Sequence, residues 1–125
     1  MTTVLLASSP SSAQEDGEGL KIYFDLGSSS VASAEREKLD QAARLYREGN
    51  PIVMTVSGGT DTVGPATLNL ALSLARANTV LQGLIDRGIP AERLQVVGRG
   101  ETELETPTDD GVAEQRNRLV EINWR

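Results

Sequence analysis

The chain has 125 residues, 38% apolar and 24% charged, which suits one domain around one core, and with aromatics at only 3% that core must be built from Val, Leu, Ile and Ala. A net charge of −6, with twelve basic residues scattered along the sequence, excludes a reader of nucleic-acid phosphates, which needs clustered Lys and Arg. With no Cys and no His there is no disulfide, no thiolate, no imidazole base and none of the commonest metal ligands, so most enzyme mechanisms lose their central group and no cofactor is implied.

The opening MTTVLLASSPSSAQEDGEG has a short apolar patch at Val4 to Ala7 but lacks the basic start and full apolar core of a secretory signal. Its Ser, Gly and Glu content predicts a disordered tail or linker over residues 1–19, ahead of a domain over residues 20–125. No run approaches the roughly 18 apolar residues of a membrane-spanning helix, so no membrane span is expected in this chain. Leu20, Ile22 and Phe24 alternate with Lys21 and Tyr23 in the period of a half-buried strand. Leu39, Ala42, Ala43 and Tyr46 then recur at helical spacing, predicting a helix capped by Ser33 and stopped by Gly49. Pro51 leads into a second strand, Ile52 to Val56, whose exit is loosened by Gly58 and Gly59. A long helix follows from about Pro65 to Gly88, since Pro is tolerated in a first turn. After Pro90, Leu94, Val96 and Val97 make a third strand ending at Gly98 and Gly100. An acidic loop precedes the last strand, Leu119 to Trp124. Strands separated by helices need crossovers, so the order β-α-β-α-β-β predicts an α+β two-layer sandwich, a mixed sheet with both helices packed on one face. Strand order is left open by these signals.

Chemistry concentrates between Ser57 and Ala77. Asp61 lies in a glycine-rich turn at a strand-to-helix junction, where exposed backbone donors and a positive dipole end favour a carboxylate. Arg76 lies on the helix that follows, on one face with Asn69, Ser73 and Val80, and the polar members of that face are expected to look outward together. An acid that holds an ammonium beside a base that holds a carboxylate can grip the head of a free amino acid. Each residue also has a plain reading, Asp61 as a turn residue satisfying backbone donors and Arg76 as a solvated helix residue. The helix carries two apolar stripes, one through Leu70, Leu74, Ala77, Leu81 and Leu84 or Ile85 and one through Leu68, Leu72, Ala75 and Thr79. Burial is the favoured explanation, with a homo-oligomer or protein partner on the second helix as the alternative.

The string FDLGSS from Phe24, the turn GGTDTVG from Gly58, the helix pattern Asn69, Leu72, Ser73, Arg76, Ala77 and Val80, then RGIPAERLQVVGRGE and NRLVEI, together resemble the OmpA-like domain. That family is the peptidoglycan-binding module of outer-membrane proteins, peptidoglycan-associated lipoproteins and flagellar stator subunits, and the likeness runs from about Leu20 to Trp124. The resemblance implies a periplasmic cell-envelope protein, associated with the outer membrane in its full-length form. It implies a binding module, not an enzyme, whose partner is the diaminopimelate of the peptidoglycan stem peptide. By the same resemblance Asp61 contacts the diaminopimelate, Arg76 contacts its carboxylate, and Thr60, Asn69 and Leu72 fall on pocket positions. Phe24 and Asp25 border the pocket, while Asn117 and Arg118 begin a closing motif whose arginine supports the site. Two positions depart from the family pattern: Gly59 stands where a histidine is usual, and Leu119 replaces the second of two arginines. Two rival readings remain, a protein-interaction module that keeps the fold, and a hydrolase using Asp61 as base with Ser73 or a water as nucleophile. The hydrolase lacks a second acid at a useful spacing.

Overall fold

A computed structural model describes residues 19–49 and 53–124. Nearly all of the expected tail, and Pro51 and Ile52 at the mouth of the second strand, lie outside the described residues. The chain builds β1 (Leu20–Tyr23), α1 (Arg36–Gly49), β2 (Met54–Gly58), α2 (Ala66–Asp86), β3 (Leu94–Gly98) and β4 (Leu119–Trp124). Single 3-10 turns at Ser33–Glu35, Ala91–Arg93 and Gln115–Asn117 lead into α1, β3 and β4. Ser33 opens its turn without capping a helix, because the residue before it, Ala32, occupies the cap and makes no side-chain bond. The far end of α2 stops as expected, with Gly88 at φ 97° and the N–H groups of Gly88 and Ile89 bonding back to the carbonyls of Ile85 and Leu84.

The sheet order is β1-β4-β2-β3, antiparallel at β1/β4 and β4/β2 and parallel at β2/β3. This is the mixed sheet expected of a chain in which a helix links β2 to β3 and the last strand inserts between the first two. The register aligns one set of apolar side chains across all four strands: Ile22 opposite Val120, Ile122 opposite both Leu20 and Val56, and Met54 opposite both Trp124 and Leu94. Leu39, Ala42 and Ala43 of α1 and Ala77, Val80 and Leu84 of α2 complete the core over that face. The two helices and the sheet thus form the two layers predicted.

Glycines decide how closely α2 sits. A Cβ at Gly58 would come within 2.0 Å of the Ser73 carbonyl oxygen, and one at Gly98 within 2.5 Å of Leu74 Cγ. These are the last residues of β2 and β3, so the helix backbone rests on the carboxyl ends of the strands and its amino-terminal half overhangs them. The outcome reverses one expectation. The face carrying Asn69, Ser73 and Arg76 is buried and continues into Ala77, Val80 and Leu84, whereas Leu68, Leu70 and Leu74 are exposed. Polar side chains face inward there because, past the end of the sheet, they meet backbone carbonyls and turn residues instead of apolar side chains.

Candidate functional site

Beyond β2 the chain is held by two backbone bonds, Gly59 N–H to the Leu119 carbonyl at 2.8 Å and Thr60 N–H to the Gly100 carbonyl at 2.8 Å. That turn delivers Asp61 into the overhang, where it is 2% exposed. Its Oδ1 accepts from the Val63 N–H at 3.2 Å, and its Oδ2 accepts from the Glu114 N–H at 3.2 Å and from Arg118 Nη1 at 2.9 Å. The turn role considered for Asp61 is therefore present, together with a buried ion pair. Arg118 also donates to the Phe24 carbonyl at 3.0 Å, which ties the start of β4 to the end of β1.

Arg76 is 0% exposed, which removes the solvated-helix reading. Its Nε donates to the Ser28 carbonyl at 2.8 Å, Nη1 to the Gly59 carbonyl at 3.0 Å and Nη2 to the Asp25 carbonyl at 3.1 Å. These bonds use three of the five N–H donors of a guanidinium. The group also lies over the Phe24 ring, 5.3 Å from its centroid, an electrostatic attraction to the ring face. Burial pulls the Arg76 pKa down to about 10, with Asp61 opposing the shift and Arg118 adding to it. Two guanidinium groups thus lie around one buried carboxylate, Arg118 in contact with it and Arg76 held on backbone carbonyls, and an incoming anion would improve the charge balance.

Asp61 and Arg76 line one concavity of about 360 Å³ together with Thr60, Asn69 and Leu72. Asn69 is fixed by donating to Glu101 Oε1 at 2.8 Å and to the Val63 carbonyl at 3.1 Å, and Thr60 Oγ1 donates to the Asp61 carbonyl at 2.9 Å. The other three residues named from sequence stand behind this wall. Phe24 underlies Arg76, Arg118 backs Asp61, and Asp25 turns its side chain to solvent while only its carbonyl meets Arg76. Sequence reasoning missed the loop between β3 and β4, whose Glu101 and Glu114 reach Asn69 and Asp61. Thr62 straps the same loop down, accepting from Gly111 N–H at its carbonyl and donating from Oγ1 to the Asp109 carbonyl. Ser73, the hydrolase reading's nucleophile, is buried, donates to the Leu70 carbonyl and accepts from the Gly100 N–H, so its hydroxyl is committed to structure. A wider groove of about 650 Å³ runs between α1 and α2, lined by the exposed Arg36 and by Arg87, which is already bonded to Asp40 and the Gly83 carbonyl. It lacks the buried charge that marks the smaller concavity.

Comparison with known proteins agrees with this architecture. The chain is 31% identical over 100 residues to outer membrane protein A of Bordetella avium, covering 80% of this chain and 52% of that protein. It is 29% identical over 114 residues to the peptidoglycan-associated lipoprotein of Rhizobium meliloti, covering 90% of this chain and 65% of the relative. The chain thus spans about half to two thirds of these curated relatives. Among solved structures, the peptidoglycan-associated lipoprotein from Burkholderia pseudomallei superposes with a TM-score of 0.77 at 26% identity, covering 84% of this chain and 89% of the other. The sequence pattern of the OmpA family matches residues 23–118, a stretch that begins beside Phe24, ends on Arg118 and includes every residue of the charged concavity, and on that match the chain belongs to the OmpA family.

Proposed function

We propose that this chain binds peptidoglycan noncovalently and anchors the outer membrane or an envelope complex to the cell wall from the periplasm. The ligand group is the free amino-acid head of diaminopimelate in the stem peptide. The observation that carries the reading is the convergence of Asp61 and Arg76 on one concavity, with Arg118 behind it. The carboxylate of the head enters beside Arg76 and the ammonium beside Asp61. Relatives named as peptidoglycan-associated lipoproteins support it. A charge-assisted hydrogen bond contributes about 1.5–3 kcal/mol net, so two or three support micromolar binding once association costs are met. Such a grip is reversible for one copy and firm when many copies face a polymer.

The test is cosedimentation with purified sacculi. Because both groups are buried, conservative variants are needed: Asp61→Asn and Arg76→Lys should each lose at least about tenfold in bound fraction at subsaturating wall. Urea midpoints recorded in parallel establish that the variants are folded. Parent-like sedimentation of both folded variants would remove the site assignment.

A second reading rests on the exposure of Leu70 and Leu74 beside the end of β3. In it that face carries a second copy or another protein. Light scattering decides: an oligomeric parent reduced to monomer by Leu74→Glu supports it, and a monomeric parent removes the homo-oligomer.

A further inference from the structure

The concavity is charged at its floor and bare of charge at its mouth. Its lips are Leu26, from the loop after β1, and Leu68, from the first turn of α2. At 59% and 64% they are the two most exposed large apolar side chains among the described residues, and neither joins the core. Between them Gly27 and Gly64 line the mouth with no side chain, both at positive φ, with the exposed Pro65 beside them, while the half-buried Val63 and Leu72 carry the apolar lining inward. A ligand consisting only of a zwitterionic head would satisfy the floor and leave both leucines in water. A head carried on a methylene chain would satisfy floor and lips together, and the gain grows with the apolar area removed from water.

On the footing of the diaminopimelate reading, we propose that Leu26 and Leu68 close on the methylene chain joining the free head of diaminopimelate to the stem peptide, and that they set specificity for a head on an aliphatic stalk. They act on the part of the ligand that the charged residues do not touch. The head alone is then a poor ligand, and affinity rises with chain length until the lips are spanned.

The experiment is an amide chemical-shift titration of the 15N-labelled protein with D-alanine and D-norleucine. These share one head, in the configuration of the free centre of the meso acid, and differ in methylenes. The parent should bind D-norleucine about tenfold more tightly than D-alanine. In the double variant Leu26→Ser, Leu68→Ser that preference should vanish, with D-alanine affinity unchanged. Since both side chains are exposed, the fold should survive, and the amide spectrum reports it. A preference that persists in the double variant, or a parent that does not discriminate, would overturn the role of the lips. If neither amino acid nor diaminopimelate shifts any amide of the parent, the ligand reading itself falls, and this inference with it.

Discussion

Arg118 holds the carboxylate of Asp61 from a position 57 residues away in sequence, at 2.9 Å and largely shielded from water. Removing one partner of a buried pair strands the other, so Arg118→Ala should cost about 3–5 kcal/mol in urea unfolding, whereas an exposed arginine would cost almost nothing. A loss below about 1 kcal/mol would show that Asp61 is held by its backbone donors alone. Gly59 makes the opposite case. Its φ is ordinary, and a Cβ there would meet only the Asn117 carbonyl at 3.4 Å and more distant oxygens, an unstrained contact. Gly59→Ala should therefore stabilise the fold by about 0.5 kcal/mol, through the entropy of the unfolded chain, and a lowered melting midpoint would contradict that. Asp61 and Arg76 were legible in the sequence because a glycine-rich turn before a helix is a local signal. The Asp61–Arg118 contact was not legible: the family motif marked Arg118 only as a support of the site, and local patterning cannot see a partner brought in by strand β4 inserting between β1 and β2.

At the scale of elements, the seating of α2 is set by what stands opposite each glycine. Gly58→Ala drives a methyl into the backbone carbonyl of Ser73, which cannot move without lifting the helix, so a loss of about 3 kcal/mol or more is expected. Gly98→Ala meets side-chain atoms instead, Leu74 Cγ at 2.5 Å and Ser73 Oγ at 3.0 Å, and since the exposed leucine can turn aside it should cost less. Equal losses in chemical unfolding would contradict this picture. The free edge of β1 is protected differently: Tyr23 N–H donates to Glu35 Oε1 at 2.8 Å, and Lys38 Nζ donates to the Lys21 carbonyl. Burial pushes the Glu35 carboxyl up, but the Tyr23 N–H and Lys38 together outweigh it and hold the pKa below 4.5. A folded pKa below the unfolded one gives stability that is present above 4.5 and fades as the pH falls through the folded value. The gap in urea midpoint between the parent and Glu35→Gln should thus narrow as the pH is lowered from 4.5 into the acid range, and a gap that widens on acidification would contradict it. Alternation located β4 at Leu119–Trp124, and the apolar run after Pro90 located the start of β3 at Leu94 but left its end at Gly98 or Gly100, where the strand stops at Gly98. The inward face of α2 was misread because amphipathic patterning takes polar as outward, and it has no way to register a helix overhanging the end of a sheet.

For the whole molecule, the order β1-β4-β2-β3 gathers one charged site from the ends of β1 and β2, the start of β4, the helix α2 and the loop after β3. The loop after β3 carries Glu101, Glu103, Glu105, Asp109, Asp110 and Glu114, and the chain as a whole carries −6. A protein of that charge gains nothing from an acidic polymer at long range, so the proposed hold on the wall would be local and shielded. Sedimentation with sacculi should accordingly persist as salt is raised to about 0.5 M, where a polybasic binder would be released. Release over that range would place the contact on the solvent-exposed surface instead of in the concavity. Periodicity foretold the layers. The depth at which Asp61 and Arg76 lie was not legible, since burial of a charge depends on carbonyls supplied from distant segments.

The central claim is that the site recognises both charges of one amino-acid head. Calorimetric titration with a disaccharide tripeptide whose third residue is diaminopimelate, against the same molecule with lysine there, tests it most directly, because lysine ends in an amine with no carboxylate beside it. Loss of the Arg76 contact should weaken the lysine form by at least about tenfold. Equal affinity for the two would contradict the account.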